Sequence, residues 1–122
     1  MFAQHGTARF QPKEMLKLLS EYPITTICAP PTIYRLLIQE DLASFQPKAL
    51  RHCAAAGEPL NPEVIAQWKQ ATGLWLHDGY GQTETVLLCG NFPGVEIKPG
   101  SMGLPAPGVD VRGVRECRHR TR

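Results

Sequence analysis

Three short apolar runs, Thr25-Thr26-Ile27-Cys28-Ala29, His52-Cys53-Ala54-Ala55-Ala56 and Leu74-Trp75-Leu76-His77, alternate along the chain with stretches that open on proline and repeat apolar residues at helical spacing. This alternation restricts the fold more than any other feature, because strand, helix and strand joined by short links close as right-handed crossovers in a parallel sheet. Gln11-Pro12 places proline at a first helical position, with Met15, Leu18, Leu19 and Tyr22 following until Pro23 stops the helix. Pro30-Pro31 opens a second helix, with Ile33, Leu36 and Leu37 as its buried stripe and an end near Glu40. Asn61-Pro62-Glu63 supplies an N-cap, a first-turn proline and an acid near the positive helix end. That helix presents Val64, Ile65, Trp68 and Ala71, and Gly73 is its terminating glycine.

The fold class is therefore α/β, with parallel strands alternating with helices. Thr25–Ala29 is apolar on both parities, which suits a strand covered on both faces, so helices are expected on both sides of the sheet. The alanines of His52–Ala56 are equally compatible with a helix. In such sheets functional loops lie beyond the carboxyl ends of the strands. Ala56-Gly57-Glu58-Pro59 and Asp78-Gly79-Tyr80-Gly81-Gln82-Thr83-Glu84 occupy that position and are expected to be loops. Val86–Cys89 reads as a further strand, and Gly94 to Gly108, rich in Gly and Pro, as loops between short β segments.

Composition narrows the function classes. The 122 residues carry a formal charge of +2, but five of the 13 Lys and Arg residues fall between Arg112 and Arg122. The body before them is slightly acidic. An Arg-rich end can bind phosphate backbones, yet no aromatic platform or nucleic-acid motif accompanies it, so it reads as a solvated, disordered tail and no nucleic-acid partner is expected. Cys28, Cys53, Cys89 and Cys117 are widely spaced, and the first three sit in apolar runs where a free thiol behaves as a small hydrophobe. A reducing compartment follows. No pair among His5, His52, His77 and His119 has metal-ligand spacing. The longest apolar run falls far short of the ~20 residues of a membrane-spanning helix, and no signal or transit peptide is read at the start.

Asp78 to Glu84 carries the residue types of a ligand loop. Gly79 and Gly81 permit close approach of a ligand to the main chain, Tyr80 can stack on a planar base, and Thr83 offers a hydroxyl to a phosphate or carboxylate oxygen. Glu84 is a hard oxygen ligand suited to Mg²⁺. Taken alone, so short a segment reads at least as readily as an ordinary turn with an exposed acid, and Gly57-Glu58-Pro59 alone is only a loop.

Order and neighbours change that reading. Ala29-Pro30-Pro31-Thr32-Ile33-Tyr34-Arg35, Ala56-Gly57-Glu58-Pro59, Tyr80-Gly81-Gln82-Thr83-Glu84 and Gly100-Ser101-Met102-Gly103, in that sequence, resemble the adenylate-forming superfamily of acyl-CoA synthetases, luciferases and peptide-synthetase adenylation domains. The resemblance runs from Phe2 to about Val111. Tyr22-Pro23-Ile24-Thr25-Thr26, Leu50-Arg51-His52-Cys53 and Ile97-Lys98-Pro99-Gly100 are similar to the medium-chain acyl-CoA synthetase branch. The resemblance implies an ATP-dependent ligase joining a small-molecule carboxylic acid to coenzyme A through an acyl-adenylate, in the mitochondrial matrix. It implies that Gly57, Glu58 and Pro59 border the adenine, that Asp78, Gly79, Tyr80, Gly81, Gln82 and Thr83 wrap the adenine and phosphates, and that Thr83 also meets the acyl carboxylate. Thr83 and Glu84 would be the catalytic pair, with Glu84 holding Mg²⁺.

Departures from the family pattern bound the claim. The Ser/Thr/Gly-rich phosphate loop with its lysine, the ribose-binding aspartate, the hinge and the C-terminal domain with its catalytic lysine are not found in these residues. Gln11 stands where related sequences usually have Asp, and Leu104 where a basic residue is common. The expectation is a partial adenylation domain over 1–111 followed by an unrelated Arg-rich tail over 112–122. Two readings of activity follow: part of a medium-chain ligase, or a truncated non-catalytic product with weak or no nucleotide binding.

Overall fold

The computed structural model describes residues 9–113. Its sheet runs in the order β1 (Thr26–Ala29), β2 (His52–Ala56), β3 (Leu76–Gln82), β4 (Val86–Gly90) and β5 (Leu104–Pro105), with helices α1 (Pro12–Glu21), α2 (Pro31–Leu37) and α3 (Pro62–Thr72). β1, β2 and β3 are parallel, as the alternation predicts, and the alanine run is a strand. β4 and β5 then add antiparallel to them.

Helices on both faces were expected, and the described residues correct this. α2 links β1 to β2 and α3 links β2 to β3, each a step in the same direction, so right-handed crossovers place both on one face. α1 packs beside α2. The burial pattern records it: Ile27, Ala29, Cys53, Ala55 and Leu76 are buried under the helices, whereas Thr26 and Cys28 are exposed and His52, Ala54, Ala56 and His77 are half-buried. Cys28 is thus not a core thiol, although Cys53 and Cys89 are buried as expected.

The core centres on Trp68 and Tyr34, both fully buried and packed edge to face with centroids 5.2 Å apart. Tyr34 was missed by the apolar stripe assigned to α2. Its hydroxyl reaches across the sheet, donating to Ala54 O at 2.9 Å and lying 3.4 Å from Ile27 O. Burial holds the phenol protonated, far above its ordinary range. Smaller shifts follow from the same packing: Leu16 is buried on α1 while Met15 and Leu18 are half-buried and Tyr22 is exposed, and Ala71 is exposed on α3.

Local chemistry fixes the helix ends. Asn61 Oδ1 accepts from Glu63 N at 2.9 Å, and Gly73 closes α3 in the left-handed region at φ 75°. Gln11 occupies the N-cap of α1 without a side-chain cap bond, the interaction an Asp there would supply.

The larger correction concerns Asp78 to Gln82. It is the continuation of β3 rather than a loop, paired with β4 from Gly79↔Gly90 to Gln82↔Val86 with a register shift between Tyr80 and Gly81. Gly79 and Gly81 allow the neighbouring strand to close over them, a fit with no visible sequence periodicity. At the far end, Arg112 donates two hydrogen bonds to Asp110, at 3.1 and 3.0 Å. Residues 114–122, most of the tail expected to be disordered, lie outside the described residues, as do His5, Cys117 and His119.

A closed core under one sheet face and an open opposite face predict a mixed solution signature for the purified chain. Trp68 and Tyr34 should give a near-UV circular dichroism band, while a hydrophobic dye binds the face bearing Cys28 and Ala54. Dye binding with a featureless near-UV spectrum would mean that the core is molten.

Candidate functional site

The parallel pairing of β2 with β3 sets the ends of the two strands side by side, and the chain leaving β2 faces the outer half of β3 across a cleft of about 530 Å³. Gly57, Glu58, Pro59, Asp78, Gly79, Tyr80, Gly81 and Gln82 all line it. Leu60, Gly100 and Met102 complete the wall. Gly100 and Met102 were legible only as part of a motif without an assigned role, and Leu60 only as an apolar neighbour of Pro59.

Thr83 and Glu84 do not line this cleft. They are the central residues of a turn closed by Thr85 N donating to Gln82 O at 3.1 Å and by Gln82 N donating to Thr85 Oγ1 at 3.0 Å. Both side chains are exposed at the rim. Val86 follows with φ 59°, an unusual conformation for a β-branched residue. Tyr80 is 40% exposed, leaving ring surface open to a planar ligand. Asp78 is half-buried, and that burial raises its carboxyl pKa, partly offset by the backbone N–H of Gly79. The Glu58 carboxylate is turned toward Thr32 and Arg35 of α2.

Asn91 is a buried polar residue that sequence reasoning did not single out. Its backbone N–H donates to Asp78 O at 2.8 Å, its Nδ2 donates to Ser101 O at 3.3 Å, and its carbonyl accepts from His77 Nδ1 at 2.8 Å. Those bonds tie β3 to the Gly100–Gly103 segment that closes the cleft. His77 also stacks against His52, with centroids 4.6 Å apart, a meeting of neighbouring strands that sequence spacing did not reveal. Burial and the proximity of His77 lower the His52 pKa. Among the described residues no group of three or more His, Cys, Asp or Glu side chains could hold a metal ion. A lone carboxylate such as Glu84 fits Mg²⁺ only in the mode where phosphate oxygens and water fill the remaining positions.

Glycine-lined strand ends converge here on a cleft beside an aromatic side chain, in a segment of α/β class. Comparison with known proteins carries the assignment further. The AMP-binding enzyme family matches residues 1–117. Over 108 residues the chain is 55% identical to the mitochondrial acyl-coenzyme A synthetase ACSM3 of Homo sapiens, covering 88% of this chain and 18% of that protein. It is 54% identical over 112 residues to ACSM4 of Rattus norvegicus, covering 92% of this chain and 19% of the relative. The fold superposes on an acyl-CoA synthetase from Brucella canis with a TM-score of 0.73 at 36% identity, over 82% of this chain and 19% of that one. It does so equally on the anthranilate CoA ligase AuaEII, solved with anthranoyl-AMP, with a TM-score of 0.73 at 32% identity, over 80% of this chain and 19% of that structure. The chain belongs to the AMP-binding enzyme family, and it spans less than a fifth of the length of the ACSM3 and ACSM4 relatives.

Two glycines test how tightly the cleft is built. A Cβ at Gly81 would strike the carbonyl oxygen of Val86 on the paired strand, and one at Gly103, at φ 89°, would strike the backbone of Gly90. Gly81→Ala and Gly103→Ala should each lower the stability to urea by about 1–3 kcal/mol. Gly113→Ala, with nothing within 4 Å, serves as the neutral control.

Proposed function

We propose that this chain supplies the adenine-facing and α-phosphate-facing part of an ATP-dependent ligase that joins a medium-chain carboxylic acid to coenzyme A. The observation that carries this reading is the convergence of Gly57–Leu60, Asp78–Gln82 and Gly100–Met102 on one cleft in a member of the AMP-binding family. In this reading residues 1–111 form part of the adenylation domain. The family match itself runs on as far as residue 117. The mitochondrial relatives support the same compartment for this chain.

Each residue type has a task. The backbone of Gly57–Pro59 and Asp78–Gln82 borders the base, with Tyr80 available to stack on it. Thr83, at the exposed turn, contacts the α-phosphate and the acyl carboxylate, fixing the attacking oxygen beside phosphorus. Developing charge on the phosphate oxygens is met by such preorganised donors. Glu84 would hold Mg²⁺, which supplies charge neutralisation to the phosphates when bound.

The test grafts residues 9–113 into the complete ACSM3 relative and assays the two half-reactions separately. Glu84→Gln should slow adenylation by about 10²–10³-fold, the loss seen when one preorganised electrostatic contact goes. Thioester formation from supplied acyl-adenylate should suffer less, because no β- or γ-phosphate remains. Thr83→Val should harm both halves. Equal losses for Glu84→Gln with a lowered Tm would make Glu84 a turn-forming residue and remove the metal assignment.

A further inference from the structure

The motif Ala29-Pro30-Pro31-Thr32-Ile33-Tyr34-Arg35 lies outside the cleft, yet its side chains reach one of the cleft's walls. Thr32 Oγ1 donates to Glu58 Oε2 at 2.7 Å, and the Thr32 backbone N–H points at the same oxygen at 3.3 Å. Arg35 donates one N–H group to Thr32 Oγ1 at 2.8 Å and to Glu58 Oε2 at 3.3 Å. One carboxylate oxygen therefore collects three donors from two residues of α2, 23 to 26 residues away in sequence.

The two ends of this contact differ in rigidity. α2 is anchored: Pro31, Tyr34 and Leu37 are buried, and the Tyr34 hydroxyl is bonded to the backbone of β2. Gly57, Glu58 and Pro59 are exposed up to the buried Leu60, and Gly57 sits at φ 92° with nothing within 4 Å of where a Cβ would stand, so these three residues gain little from packing. The Arg35–Glu58 pair is also half-exposed, with side-chain exposures of 48% and 40%. An ion pair in that setting contributes little to global stability. Its effect falls instead on the conformation of the loop.

We propose that Thr32 and Arg35 are positioning residues for nucleotide binding: they hold Glu58 against α2 and so fix the Gly57–Pro59 wall of the cleft in a receptive shape before ligand arrives. The carboxylate of Glu58, turned to α2, is then a tether rather than a ligand, and the loop offers the nucleotide its backbone. This rests on the nucleotide-site reading given above for its ligand, but not for the clamp itself.

The experiment uses the 122-residue chain with three readouts: amide hydrogen exchange at residues 57–60, thermal unfolding, and ATP binding by saturation-transfer NMR. Arg35→Ala and Thr32→Val should each speed exchange of the loop amides and weaken ATP binding by about three- to tenfold, with Tm nearly unchanged. Arg35→Lys should recover part of both effects. In a double-mutant cycle, Arg35→Ala combined with Glu58→Gln should be no worse than either alone. Additive losses, or unchanged loop exchange in Arg35→Ala and Thr32→Val, would overturn the clamp. Unchanged ATP affinity in variants whose loop exchange is raised would overturn its role in binding. Failure of the unaltered chain to bind ATP would count against the nucleotide site, while the exchange and cycle measurements would still decide the clamp.

Discussion

The parallel pairing of β2 with β3 is the constraint on which the rest depends. Its register, Cys53↔Leu76 through Ala56↔Gly79, brings two segments twenty residues apart to the same end of the sheet. Neither segment has a site alone. The crossover helix α3 makes the pairing possible, capped by Asn61 at its start and Gly73 at its end, and Trp68 presses it onto the sheet beside Tyr34. Burying aromatic rings of this size is the largest apolar contribution a core this small can draw on.

The outer half of β3 then serves two structures at once. Up to Gly79 it is the last parallel strand, and from Gly79 to Gln82 it is one arm of a hairpin with β4. The change of partner leaves Tyr80 open to the cleft and delivers Thr83 and Glu84 to a tight turn at its rim. Asn91 secures the arrangement from behind by bonding to both Asp78 and Ser101. A strand presents its backbone more rigidly than a loop, which suits a wall that must meet a ligand with main-chain groups.

Much of this was legible in the residues. The three proline-opened helices and the parallel strands between them follow from periodicity and capping, since those signals are local. Eight of the predicted site residues meet in one cleft, because the segments at the carboxyl ends of adjacent parallel strands have little freedom to part. The misses are non-local. Gly79 and Gly81 read as loop glycines because their steric role depends on Val86 and Leu87 of the opposing strand. Tyr34 was left out of the α2 stripe because the acceptor of its hydroxyl, Ala54, belongs to another segment. Helices were expected on both faces because the apolar parity of Thr25–Ala29 does not say which layer covers which face. The stacking of His52 on His77 follows only once β2 and β3 are placed side by side.

The central claim is that the cleft between the β2 loop and the outer half of β3 is where this chain meets nucleotide. Titrating AMP into the isotopically labelled 122-residue chain and mapping the amide shifts tests it without requiring catalysis. The account predicts shifts concentrated in Gly57–Leu60, Asp78–Gln82 and Gly100–Met102, growing in parallel with AMP concentration. Shifts centred on the His52–His77 side of the sheet, with the cleft unmoved, would contradict it.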